Sequence, residues 1–345
     1  MAQPFLLWMW SALKKFDYDV VIGHRLICEK LRQAVRTDHV VSSYLFSGSR
    51  GIGKKTVASA FSAAMLCESP KDGAPCLSCP SCRLFAGGNH PDFIPVMQPE
   101  DKKSIGIDQI RTQVIQEAYV RPFHSGHKVF LIEGTELTVE AQNALLKILE
   151  EPPVYAVFIL LTTAPDKLLK TIRSRCLHLQ FLPLSSDLCT QYFSNFPCDS
   201  ENRKALAASF SQGIIGKGLT MLQDDAYYQL YQETISHLSS LPHGSGALVD
   251  TQQFFAQNRE HMESIIDFTL VFLRDCLRLS ISQKITLICN DQKTAIQSFC
   301  AVCSPGGLVR MMEAVIAFRN KLQRNADFSV AGLELLTRMQ EEIHD

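Results

Sequence analysis

The stretch Gly48-Ser-Arg-Gly-Ile-Gly-Lys-Lys-Thr56 limits what this chain can fold into more than any other. A short apolar run, Tyr44–Ser47, precedes it, and "KKTVASAFSAAMLCE" follows with apolar residues at helical spacing. Strand, glycine-rich turn, helix is the context in which backbone N–H groups cradle phosphates, and the stretch meets the pattern G-x-x-x-x-G-K-[ST] at Gly48, Gly53 and Lys54, with Gly51 inside it. At the last position Lys55 stands where a Ser or Thr hydroxyl would hold Mg²⁺. Thr56 is no substitute, because adjacent helix positions point about 100° apart.

Further strand-like runs are "DFIPVM" (92–97), "KVFLIE" (128–133), "AVFILLTT" (156–163) and "CLHLQF" (176–181). Helical patterns separate them, "IDQIRTQVIQEAYV" and "VEAQNALLKILEE", the second stopped by Pro152-Pro153. Strands alternating with helices predict a parallel sheet covered on both faces, an α/β domain over residues 1–182. Beyond "FLPLS" the strand pattern ends. Residues 183–223 read as a small helical domain broken at "FPCDS" and "SQGIIGKG", and 224–345 as a larger all-helical domain interrupted by the loop "LPHGSGALVD".

The chain has 345 residues, 46% of them apolar, with a formal net charge of -1. That length predicts two or three domains, and the near-neutral charge argues against a generally basic nucleic-acid coat. The N-terminal "PFLLWMW" has basic residues after it rather than before it, unlike a secretory signal, and predicts a strand or helix packed on the body. No run reaches the roughly 18 apolar residues of a membrane span, so the expectation is a cytoplasmic chain with no membrane partner.

Among 12 cysteines, Cys67, Cys76, Cys79 and Cys82 form C-x8-C-x2-C-x2-C in a segment rich in Pro, Gly and Ser. Thiolates two residues apart can bend round one tetrahedral ion, so the cluster reads as a structural zinc site closed by four protein ligands; free thiols are the alternative. Cys300 and Cys303 read as core packing or chance.

Glu133 follows four apolar residues of a strand, where a Mg²⁺-binding acid would sit, or simply ends that strand in a turn. Gly134, next to it, can neither accept a proton nor orient water. Thr162-Thr163 could reach a phosphate or satisfy a strand end, and Arg175 in Ser174-Arg175-Cys176 reads as a surface residue or as an arginine finger.

Taken together, "VIGH…SYLFSGSRGIGKKT", the four cysteines, "NHPDF", "KVFLIE", "AQNALLKILEEPP" and "LLKTIRSRC" resemble the bacterial clamp-loader family of AAA+ proteins, and within it the delta-prime branch. The motifs run from about residue 20 to 182 in family order. The resemblance implies an α/β AAA+ domain, a small helical lid and a C-terminal helical collar. It implies that Gly48, Gly51, Gly53 and Lys54 match the phosphate loop, Lys55 its altered end, Glu133 the Walker B acid and Thr163 the region of the first sensor. Cys67, Cys76, Cys79 and Cys82 match zinc ligands, and Arg175 matches a finger pointing into a neighbour's ATP site.

A second-sensor arginine is expected near "GIIGKGL", where this chain has Gly216 and Lys217. The changes at Lys55, at Gly134 and in the lid imply a subunit without its own ATP turnover and with weak ATP binding at most. The partners implied are the gamma/tau and delta subunits in a hetero-pentamer, the sliding clamp, and primed DNA. Two competing expectations remain: an active ATPase, either the motor subunit of the same loader or a related AAA+ enzyme, and a free-standing zinc protein that binds DNA alone.

Overall fold

The computed structural model describes residues 16–99, 102, 104–124, 126–133, 137–198, 200–282, 287–324 and 326–343. The apolar segment 4–10 and Gly134 lie outside the described residues. The chain divides into two compact units, one running to Leu188 and including Gly213–Gly216, the other formed by Cys189–Gln212 and the residues from Lys217 onward.

In the first unit, β1 (Ser43–Ser47), β2 (Phe93–Met97), β3 (Lys128–Glu133), β4 (Ala156–Thr162) and β5 (Leu177–Gln180) form one sheet in the order β2-β3-β4-β1-β5. Each adjacent pair is parallel. β1 and β4 are buried along their whole length, which is why both read as unbroken apolar runs. The pleat sends Phe46 to one face, with Leu31, Phe61 and Phe181, and Leu45 to the other, with Phe130, Leu145 and Phe158.

Register decides where the functional candidates can be. Ser47 pairs with Thr162, and Glu133 with Leu161, so β1, β3 and β4 finish at one edge of the sheet. Tyr44 pairs with Leu177, so β5 begins at the opposite edge. The helix Lys54–Leu66 departs from the first edge; Val139–Glu150, capped by the Thr138 hydroxyl accepting from the Ala141 N–H at 3.2 Å, lies between β3 and β4 in the chain and ends before Pro152. The predicted helix after residue 107 is present as Ile107–Ile110 followed by a wider π-helical turn, Arg111–Gln116.

Residues 183–223 contain the helices Ser186–Ser194, Glu201–Ser211 and Ile215–Gln223. The second unit continues with Asp225–Ser240, Ser245–Gln257, Met262–Ile281, Lys293–Cys300, Pro305–Gln323 and Phe328–Glu341. Phe268 is central to it, its ring 5.1 to 5.5 Å from those of Phe210, Tyr227 and Tyr231. One loop expectation fails: of "LPHGSGALVD", only Gly244 separates a 3₁₀ turn, Leu241–His243, from the helix starting at Ser245. Its small residues mimic a loop, while Thr251, Phe254 and Phe255 farther along bury that helix. Cys276 and Cys303 are buried and the Cys300 thiol donates to the Cys276 carbonyl at 3.2 Å, as core packing requires.

Candidate functional site

The glycine-rich loop leaves β1 with the Gly48 N–H donating to the Thr162 carbonyl at 3.2 Å. Gly48, Gly51 and Gly53 have φ of 148°, 80° and 108°, a region that side chains avoid. A Cβ on Gly216 would stand 2.6 Å from the Gly51 Cα, and the Gly216 N–H donates to the Gly51 carbonyl at 2.9 Å; two backbones meet where only glycine fits. Lys54 is 8% exposed, and its ammonium donates to the carbonyls of Gly48 at 2.6 Å and Ser49 at 2.9 Å. Burial pushes its pKa down and the Glu133 carboxylate opposes that shift. His24 Nε2 lies 2.9 Å from the Ile52 carbonyl, so that nitrogen carries a proton; burial lowers the ring's pKa against that hydrogen bond.

At the same edge, Lys55 Nζ is 2.7 Å from Glu133 Oε2 at the end of β3. The altered loop residue and the predicted metal acid are thus paired with each other. Thr162 is the buried last residue of β4, its hydroxyl accepting from the Ala164 N–H at 3.1 Å, and Thr163 beyond it is exposed. Loop, Lys54, Lys55, Glu133 and Thr163 are therefore gathered at the carboxyl ends of β1, β3 and β4, where open parallel sheets bind ligands.

Arg175 is elsewhere. It precedes β5, at the edge where the strands begin, while the loop leaves from the edge where they finish. Strand register alone separates Leu177 from the end of β1 by about 10 Å. The guanidinium is one-third exposed, 2.6 Å from Glu150 Oε1, and donates to the Thr171 carbonyl at 2.9 Å.

The cysteines form a third site. The four Sγ atoms all lie within 4.8 Å of one another, with Cys67 and Cys79 3.9 Å apart. Four Zn–S bonds of about 2.3 Å in a tetrahedron need sulfurs about 3.8 Å apart, so the set fits zinc. Backbone N–H groups of Cys76, Cys79 and Cys82 point at the sulfurs of Cys67, Cys76 and Cys79 at 3.3, 3.4 and 3.4 Å, an arrangement that favours thiolates. The Cys82 thiol, with the Cys76 N–H, holds Cys67 down at about 5. The cluster is tied to the sheet through buried polar groups. Ser81 Oγ is 2.8 Å from His90 Nε2, His90 Nδ1 accepts from the Asp92 N–H, and the Asp92 carboxylate accepts from the N–H groups of Phe123 and His124 at 2.8 and 2.9 Å.

Residues 23–185 match the family model described as "DNA polymerase III, delta subunit", and residues 226–341 match that of its C-terminal part. The DNA polymerase III subunit delta' of Bacillus subtilis (strain 168) is 26% identical over 91% of this chain and 95% of its own length. The subunit delta' of Pseudomonas aeruginosa is 42% identical over 41% of this chain and 43% of its own length. The chain belongs to the delta-prime family of DNA polymerase III clamp-loader subunits. The DNA polymerase III subunit tau of Bacillus subtilis is also similar, 30% identical over 78% of this chain and 51% of its own length. Among solved structures, a DNA polymerase III gamma subunit-related protein from Thermotoga maritima superposes at a TM-score of 0.44, with 17% identity, covering 91% of this chain and 99% of that one.

In this delta-prime chain the expected second-sensor position is occupied otherwise. Gly216 presses on Gly51, and Lys217 Nζ is 2.7 Å from Asp267 Oδ2, whose other oxygen is 2.5 Å from Arg319. The sequence pattern alone assigns no role to His24, Glu150, Asp92 or Asp267. His24 and Asp92 lie inside the quoted runs "VIGH" and "NHPDF", which carried that much signal; the pairings of Glu150 and Asp267 are set only by the fold.

Proposed function

We propose that this subunit helps the DNA polymerase III clamp loader place the sliding clamp on primed DNA without hydrolysing ATP itself, and that it supplies Arg175 in trans to a neighbouring subunit's ATP. The observation that carries this reading is the separation of Arg175 from its own phosphate loop by the length of the strands. A guanidinium at that edge serves a nucleotide only where another chain presents one. The relatives named gamma and tau are the subunits it would meet, with delta completing a hetero-pentamer in the cytoplasm. Residues 183–223 act as lid and 224–345 as collar in this reading. Zinc in the cysteine cluster is structural, since the four thiolates leave no open position for substrate. The loop's own turnover is opposed by Lys55, Gly134 and Lys217 together, and each such loss is expected to slow hydrolysis by orders of magnitude, on the order of 10³ for a phosphate-clamping cation.

The test is ATP hydrolysis by the reconstituted complex stimulated with clamp and primed DNA. Arg175→Ala is expected to leave assembly intact and lower hydrolysis severalfold or more, whereas Lys54→Ala in this chain leaves it unchanged. Unchanged turnover with Arg175→Ala, or turnover by the isolated chain that Lys54→Ala abolishes, overturns the reading.

A further inference from the structure

A phosphate loop of the ordinary kind holds Mg²⁺ between the Ser or Thr that follows its lysine and an acid on a neighbouring strand. In this chain both positions are filled and joined: Lys55 Nζ sits 2.7 Å from Glu133 Oε2. The Glu133 carboxylate also acts on Lys54 at longer range, opposing the fall in pKa that burial causes. The donor set does not fit Mg²⁺. A hard divalent cation needs oxygen ligands, and here the hydroxyl is absent and the carboxylate is engaged by a positive charge that repels a second one. Among the described residues, Glu133 is the one acid lining the cavity of about 200 Å³ that Lys55 faces, whose other walls are Phe16, Phe85, Phe93, Met97 and Leu131 with small residues.

We propose that Lys55 is a built-in replacement for the divalent cation, so that this loop takes the phosphates of a nucleoside diphosphate or triphosphate without metal. Lys54 and Lys55 together supply the positive charge that Lys54 and Mg²⁺ supply in a hydrolysing relative, and Glu133 sets where the second charge stands. Without a metal bridging the terminal phosphates, and with a lysine fixed in its place, the loop holds nucleotide as a static ligand. The inference deepens the non-hydrolysing reading above and rests on it.

The purified full chain is titrated with ADP carrying a ribose fluorophore, in EDTA and again in excess MgCl₂. The expected result is binding in EDTA at least as tight as in magnesium. Lys55→Thr, which restores the hydroxyl and frees Glu133, is expected to reverse this and bind at least about tenfold more tightly with magnesium than without it. Lys55 is exposed, so the substitution leaves the fold intact, and Lys55→Gln serves as the second variant, weakening binding in EDTA without gaining a magnesium requirement. No binding in EDTA, wild-type binding that depends on magnesium, or a Lys55→Thr chain indifferent to magnesium each overturns the inference. Hydrolysis by the chain is read separately: turnover sinks the non-hydrolysing reading, whereas metal dependence without turnover sinks only the role of Lys55.

Discussion

Glu150 holds Arg175 at 2.6 Å while the same guanidinium reaches the Thr171 carbonyl, so two partners on its own chain fix the side chain. Both partners are a third to a half exposed, which limits what the pair adds to stability. Glu150→Gln is therefore expected to shift the urea midpoint by no more than about 1 kcal/mol would. Asp92 behaves oppositely because it is fully buried and receives the N–H groups of Phe123 and His124. Asp92→Ala empties a buried site and leaves the Phe123 and His124 N–H groups without this acceptor, and is expected to destabilise by roughly 1–3 kcal/mol, with Asp92→Asn milder; equilibrium urea unfolding checks both. Residue types at these positions were readable in the sequence, but the pairings were not. Lys55 meets Glu133, and Arg175 meets Glu150, across separations that only the parallel register closes.

At the scale of elements, the five strands were legible because a doubly covered parallel sheet writes short apolar runs bounded by glycine, proline or polar residues. The helix Val139–Glu150 was legible in its apolar spacing and in its stop before Pro152, while its Thr138 cap shows only in the fold. The helix beginning at Ser245 was not, since Gly244 and Gly246 weaken the local pattern and burial farther along decides the outcome. The cysteine module lies between, with its ligands legible and its attachment to the sheet hidden. Residues between Cys67 and Cys82 have few apolar contacts of their own, since Cys67 and Cys82 pack chiefly with Cys76, Leu77, Cys79 and Ala86. Metal analysis is expected to find about one zinc per chain. Chelation is then expected to speed amide exchange across residues 67–86 while β1, β3 and β4 stay protected, as hydrogen-exchange mass spectrometry would read out; uniform loss of protection would mean that the metal holds the whole sheet.

Taken as a whole molecule, the two units carry buried titratable groups of opposite sense. In the sheet-bearing unit His24, His90 and His127 all have pKa values lowered from about 6.5, burial being the largest cause in each. A group depressed in the folded state binds fewer protons there than when unfolded, so its contribution is present above about pH 6.5 and is lost as pH falls through the depressed value. In the helical unit Asp275 is raised above 3.8, chiefly by burial and against hydrogen bonds from the N–H groups of Cys289 and Ile288; its Oδ1 has no hydrogen-bond partner among the described residues. A raised carboxyl is favourable when protonated, and that contribution is lost as pH rises through its folded pKa. Lowering the pH from about 7 to about 5 is therefore expected to lower the melting temperature of the sheet-bearing unit, and to spare the helical unit as far as Asp275 is concerned. Asp275→Asn, which cannot ionise, should raise the helical unit's melting temperature at neutral pH, with the gain shrinking as the pH approaches the raised value. Scanning calorimetry of the wild type and Asp275→Asn across this range reads both transitions. A gain that persists unchanged at low pH would trace the effect to packing rather than to the buried charge.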